Sequence, residues 1–335
     1  MSSSPALATT AVPSDAPVIQ VELAATLKAA GDPLRLEILR LLAQDSFGVM
    51  ELARIFDTKQ SGMSHHLKVL AQAGLVTSRR EGNSIFYRRA LPSSDDPLLN
   101  LLTSLFSTVD QAVIETGVLQ RLSDIQAERA ATSEHFFTEN ATKFRAQQDL
   151  IASYPVYAEA ISELLNNTPL PGTQVALEVG PGEGEFLAVL APKFQKLVAL
   201  DTSRTMLDKA EAFIREQALK NIEFIHSDTG DAQLQSLNAD CVVVNMVLHH
   251  TPSPAAIITQ IAGLLKTGGA LLITELCHHD QQWAREACGD VWLGFEPDDL
   301  SNWSLEAGFS EGQSQYMALR NGFQIQVRQF FKRGT

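Results

Sequence analysis

Glu178-Val179-Gly180-Pro181-Gly182-Glu183-Gly184 follows the apolar run Val175–Val179 and leads into a helical stretch. A strand running into clustered glycines and then a helix is the first unit of a parallel α/β sheet. Glycines there let the backbone turn sharply and approach a ligand closely, and amides at the helix start offer donors. Runs at Lys196–Leu200, Ile222–His226, Asp240–Asn245 and Ala270–Glu275 read as further strands, with helical stretches between them. The alternation predicts a sheet covered on both faces. Asp201 ends the second strand 17 residues after Gly184, where a carboxylate accepts both protons of a ribose diol. Asp228, with Thr229 beside it, ends the third strand and is placed for an adenine amino group. Asn245 ends the fourth at the mouth of the same crevice.

Upstream the reading is helical. Asp32-Pro33 opens a helix well, since Asp can cap and Pro is tolerated in the first turn. A short helix is predicted near Val49–Phe56 and a longer one near Gln60–Ala73. Two short strands follow, near Leu75–Arg80 and Ser84–Arg89, joined by Glu81-Gly82-Asn83. Together these elements describe a winged helix-turn-helix. Gln60, Ser61, Ser64, His65 and Lys68 stand near the start of the third helix, where base edges are met in the major groove. Arg79, Arg80, Arg88 and Arg89 lie on the hairpin, suited to phosphates.

The charge is divided in the same way. The chain has 335 residues and a net charge of −13. Between Ile19 and Leu91 ten Lys and Arg stand against seven Asp and Glu, a net +3 that leaves −16 elsewhere. Only the first module is suited to a polyanion. No apolar run reaches the ~18 residues of a membrane helix. The first eighteen residues hold no Lys or Arg and too little apolar surface to order, so they read as a disordered tail without a secretory signal. Three cysteines without CxxC spacing fit a reducing cytoplasm.

Ala30 to Leu42, Ser64 to Leu70, and Ala73-Gly74-Leu75-Val76 with Arg79 to Asn83 and Phe86-Tyr87-Arg88 closely resemble the ArsR family of winged-helix repressors. The resemblance covers about residues 20–91 and implies a homodimer on pseudo-palindromic operator DNA. Many members bind a soft metal through cysteines before the Glu-Leu pair. Ser46 to Leu52 contains none, so thiolate sensing there is excluded. Lys59 stands where the family usually has a capping Ser, leaving Thr58 as the nearby hydroxyl, and Gly62 replaces a common Thr.

Residues 172–276 resemble the class I methyltransferases that bind S-adenosylmethionine, through Glu-x-Gly-x-Gly-x-Gly and the spaced Asp residues. A nicotinamide domain usually places its third glycine one residue later. Asp201-Thr202-Ser203 with Met206-Leu207 looks like the stretch that packs beside adenine. Val247 to His250 and Leu264 to Gly269 continue the resemblance. It implies a cofactor set of Glu178, Gly180, Gly182, Gly184, Asp201, Thr202, Met206, Asp228, Thr229 and Asn245.

The expected organisation is a tail (1–18), a winged helix (19–95), a helical dimerisation or linker region (96–168) and an α/β domain (169–335). In the third segment Leu98, Leu101, Leu102, Leu105, Val109, Val113 and Leu119 form a stripe for a partner subunit or for its own domain. His249-His250 and His278-His279, with Cys277 and Asp280, contain ligand types suited to zinc. Neighbours on a strand point to opposite faces, however, so no metal is expected. His250 is the candidate general base; pocket lining is the plainer alternative. Trp283, Trp292, Phe295 and Trp303 either cover the pocket or pack the core. Fusions of these two domain types include repressors that sense S-adenosylhomocysteine. The expected function is a cytoplasmic regulator with an S-adenosyl effector; the alternative is a small-molecule methyltransferase with an autoregulatory reader.

Overall fold

A computed structural model describes residues 16–81, 84–93, 95–140 and 144–334. The chain divides between Arg121 and Leu122 into two compact units. Most of the expected tail lies outside the described residues, but 16–18 already belong to helix α1 (Ala16–Ala30). The centre of the hairpin turn, Gly82 and Asn83, also lies outside them.

In the first unit α2 (Pro33–Leu41) starts at Asp32, whose carboxylate accepts the Arg35 N–H at 3.0 Å. Strand β1 (Phe47–Gly48) leads into α3 (Val49–Ile55), and a turn leads into α4 (Gln60–Gln72). Strands β2 (Val76–Glu81) and β3 (Ser84–Arg89) pair antiparallel, and β1 adds to the edge of β3. Ile38, Leu39, Leu52, Ile55, Met63, Leu67 and Leu70 are buried where the three helices meet. Then α5 (Leu99–Asp110) buries Leu102, Phe106 and Val109. The expected apolar stripe does not continue beyond it: the chain leaves the helix at Gln111, and Val113 is 95% exposed. Helix α6 (Thr116–Asn140) begins after the break.

The second unit opens with the rest of α6, then α7 (Phe144–Ala152) and α8 (Tyr154–Asn167). Tyr157, Ile161, Leu164 and Leu165 form one buried face of α8 and join the core of the sheet. The 96–168 segment is therefore not one body, because its apolar faces are used in two different cores. Strands β4 (Val175–Val179), β5 (Lys196–Asp201), β6 (Ile222–His226), β7 (Ala239–Asn245) and β8 (Leu265–Leu276) are parallel. Helices α9 (Leu187–Leu190), α10 (Arg204–Glu216) and α11 (Pro254–Leu264) lie between them in sequence. After α12 (Trp283–Cys288) and α13 (Pro297–Glu306), β9 (Phe309–Ala318) and β10 (Gln324–Lys332) complete the sheet, β10 antiparallel to β8 and β9 antiparallel to β10, in the order β6-β5-β4-β7-β8-β10-β9. Every residue of β7 is buried, as in a sheet covered on both sides. The chain runs outward from β4 through β5 to β6, then returns to the other side of β4 as β7. That reversal opens a crevice beyond the carboxyl ends of β4 and β7, and ligands of open α/β sheets bind at such a point.

Candidate functional site

The crevice holds a cavity of about 580 Å³. Its floor comes from residues at or just beyond the strand ends: Gly180 and Gly182 after β4, Asp201 ending β5 with Thr202 after it, Asp228 and Thr229 after β6, Met246 after β7. Met206 on α10 and His250 close two sides. A smaller chamber of about 80 Å³ shares Gly180, Gly182 and Met246 and is lined by Glu178, Asn245, Tyr154 and Arg145. Of the ten residues expected to hold a cofactor, nine line one chamber or both. Gly184 lines neither. A Cβ on it would stand 3.2 Å from Cα and O of Ala210, so its bareness lets α10 approach the loop. Gly180 is constrained from the other side: at φ +65° its missing Cβ would lie 2.5 Å from Val247 Cγ2.

The electrostatics favour a ligand rich in donors. Burial raises the Asp201 carboxyl to about 6, against the Ser203 N–H that donates to its Oδ1 at 2.8 Å. Burial raises Glu178 to about 8, opposed by the nearby Asn245 amide. Glu178 Oε2 has no hydrogen-bond partner among the described residues. Asp228 folds back to accept the Gly230 N–H, and Thr229 donates to Gln260 on α11 at 2.5 Å. Met246, between the two chambers, holds φ +55°, a conformation that costs a non-glycine residue energy and that gathers at functional sites.

Residues the sequence reading passed over complete the larger chamber. Ser123, Gln126, Ala127, Ala130 and Ser133 on α6 line it. The signal was present: Ser123, Ala127 and Ala130 are small and spaced to share one helix face. Arg129 fixes that helix to the loop before α11, donating to the Pro252 carbonyl at 2.9 Å with its guanidinium over the Trp292 ring. Arg145 bridges Glu183 at 2.8 Å and Glu185 at 2.7 Å, tying α7 to the glycine loop. Trp283, Trp292, Phe295 and Trp303 line neither chamber. Trp292, Phe295 and Trp303 are buried, and Trp292 donates its indole N–H to the Thr251 carbonyl.

His250 lies on the cavity wall, and burial lowers it well below the usual imidazole range, with His249 adding to the effect. Burial alone would lower His249 too, but Glu275 and Asp290 outweigh it and raise its pKa. His278 and His279 do not join this group: the first faces Glu296 at 3.6 Å and the second packs on the Phe323 ring.

In the first unit Gln60, Ser61, Ser64, His65 and Lys68 are exposed on one side of α4, while Met63, Leu67 and Leu70 are buried on the other. His66 turns toward the start of α2, 3.8 Å from Asp32. The helix begins at Lys59 with no side-chain cap, and the Thr58 hydroxyl makes no hydrogen bond. The expected Thr58 cap is absent because this hydroxyl is buried in the preceding turn. Ladder register puts Arg79 and Arg88 on one face of the hairpin and Arg80 on the other. Arg89 is withdrawn from any phosphate. It makes two bonds to Asp110, at 2.6 and 2.9 Å, and lies over Phe106.

Two family models match the chain: a methyltransferase domain over residues 177–273 and the arsR family of bacterial regulatory proteins over residues 32–78. The biofilm growth-associated repressor of Agrobacterium fabrum is 40% identical over 86 residues, covering 26% of this chain and 70% of that protein. An uncharacterized methyltransferase of Mycobacterium bovis is 32% identical over 102 residues, 30% of this chain. The chain spans 50% of that relative's length. A solved O-methyltransferase family protein of Burkholderia thailandensis aligns over 97% of this chain and 100% of its own, at 19% identity and TM-score 0.46. Among the described residues no helix is long and apolar enough to cross a membrane. With a winged helix in its first unit and a parallel sheet with a glycine loop in its second, the chain belongs to the arsR family of bacterial regulatory proteins and carries a methyltransferase domain behind the DNA-binding one.

Proposed function

We propose that the chain is a cytoplasmic transcriptional repressor that binds a pseudo-palindromic operator as a homodimer and answers to S-adenosylmethionine or S-adenosylhomocysteine. The observation that carries this reading is the two-chambered cavity at the strand ends, in a chain that also presents a polar helix face suited to base edges. Asp201 would accept the ribose diol and Asp228 the adenine amino group. The open space above Gly182 admits the ligand backbone, and Glu178 Oε2, which has no hydrogen-bond partner among the described residues, suits the ammonium end of its amino-acid portion. When bound, S-adenosylmethionine supplies a sulfonium methyl group; its demethylated product supplies none.

A ligand shifts operator affinity only by as much as it distinguishes the DNA-bound from the free conformation. Such coupling is typically ~1–3 kcal/mol, or about 5–150-fold. Gel shifts on a selected operator, titrated with each ligand, test the proposal. The two ligands should change operator affinity by different factors, the product form more strongly. Operator affinity indifferent to both refutes the sensor reading. A working methyltransferase is the second reading, favoured by the neutral His250 on the cavity wall. Methyl transfer from labelled S-adenosylmethionine to an added small molecule, without any operator response, selects it.

A further inference from the structure

The expectation of no metal at His249 and His250 took strand neighbours to diverge and loop neighbours seldom to converge on one ion. The backbone there is neither strand nor open loop. Leu248–His250 forms one turn of 3₁₀ helix after β7, and the two imidazole rings lie side by side with centroids 4.0 Å apart. Asp290, which follows α12, faces both. Its Oδ1 is 3.9 Å from His249 Nε2 and 3.7 Å from His250 Nδ1, and that second nitrogen also donates to the Gly289 carbonyl at 3.3 Å, a proton that an ion bound there would displace. The three donor atoms lie within 4.8 Å of one another, and all three residues are buried.

A further carboxylate orients the first imidazole. Glu275 Oε1 is 2.5 Å from His249 Nδ1, and Oε2 accepts the His249 backbone N–H at 3.2 Å. The proton of that ring is thereby held at Nδ1, leaving Nε2 as a lone-pair donor toward Asp290. Metal-ligating histidines are held in this way, with the second ring nitrogen on a carboxylate. The two loops are also cross-linked: the Val291 and Trp292 N–H groups both donate to the His249 carbonyl, at 2.9 and 3.0 Å. Two carboxylates whose side chains have no exposed surface thus face two imidazoles in a rigid setting.

We propose that His249 Nε2, His250 Nδ1 and Asp290 form a binding site for one divalent transition ion of the zinc type. Two nitrogens and one carboxylate suit such an ion better than magnesium or calcium, which take oxygen sets. Bonds of about 2.0–2.1 Å place two ligands of one zinc about 3.3 Å apart at the tetrahedral angle. The two Asp290 separations, 3.9 and 3.7 Å, close to that value with shifts of about half an ångström. His250 lines the larger chamber, giving the ion a route in and leaving a fourth position for water or a ligand atom from the cavity.

The site stands independently of the effector reading, and its test needs neither operator nor nucleoside. Untagged full-length protein is stripped with a chelator and titrated with Co²⁺, followed by visible absorption, then with Zn²⁺ in competition. The proposal expects one equivalent per chain, a tetrahedral or five-coordinate d–d spectrum without a thiolate charge-transfer band, and displacement by Zn²⁺. Asp290→Asn and His250→Gln should each weaken binding by at least about 100-fold, and Glu275→Gln by about 10–100-fold with the spectrum retained. Circular dichroism identifies any variant that has lost its fold; His250→Gln, on the cavity wall, is the least disruptive of the three. Absence of stoichiometric binding, a thiolate band, or full affinity in folded His250→Gln would each overturn the site and leave a hydrogen-bonded histidine–carboxylate network.

Discussion

Lowering the pH from 7 to 5 should weaken binding of S-adenosylhomocysteine, and Asp201 contributes one separable step. Its carboxyl is raised by burial to about 6. Donation from a ribose diol favours the ionised form, so binding draws the pKa down and affinity falls as pH falls through 6. The ionised fraction drops from about nine-tenths at pH 7 to about one-tenth at pH 5, a loss of about tenfold in association constant, or about 1.4 kcal/mol. The ligand's own ammonium and carboxylate do not titrate in that window. Glu178, raised to about 8 and set against the ligand's ammonium, adds its own fall in affinity over the same window, which Glu178→Gln should remove while keeping the Asp201 step. Asp201→Asn removes the charge from two hydrogen bonds and should cost about 1.5–3 kcal/mol at pH 7, with the step abolished. Isothermal calorimetry at half-unit pH intervals reads all three proteins. A flat wild-type profile, or an unchanged profile in Asp201→Asn, would falsify the ribose assignment.

Three substitutions separate packing from contact. Arg89→Ala, which breaks the two hydrogen bonds to Asp110 and uncovers Phe106, should destabilise the first unit by about 1–3 kcal/mol in urea melts, whereas Arg80→Ala should lower the salt slope of DNA binding by about 1. Gly184→Ala, forced to φ +91° with its Cβ against the Ala210 backbone, should cost about 1–3 kcal/mol in thermal unfolding yet leave the ligand affinity of the folded protein intact; a selective loss of affinity would return Gly184 to the site.

The parallel half of the sheet was legible because its strands are short apolar runs closed by turn residues. Val175–Val179 and Ile222–His226 were read with the bounds the structure gives, and Asp201 and Asp228 were found because they stand at or just beyond strand ends. The antiparallel pair β9 and β10 was missed for a physical reason. Strand β10 alternates polar and apolar only over residues 324–328 and then breaks at Gln329-Phe330-Phe331, and its polar positions Gln326, Arg328 and Gln329 are buried rather than facing water. Those side chains are satisfied by partners far away in sequence: the Phe295 carbonyl, Ser301 with Glu311, and the Thr168 hydroxyl. The local clue was Asn321-Gly322, a pair that favours a tight hairpin turn. The same division holds at the site. Groups that a strand end presents can be counted from the sequence, but groups that meet through packing cannot. Neighbouring histidines diverge on a strand and converge in a 3₁₀ turn, and their spacing is the same in both. What distinguishes the two cases is Asp290, 40 residues on, held there in part by the Val291 and Trp292 amides that dock on the His249 carbonyl. The α6 wall has the same character: its small residues form a face on any helix, and tertiary bonds such as that of Arg129 to Pro252 hold that face on the cavity.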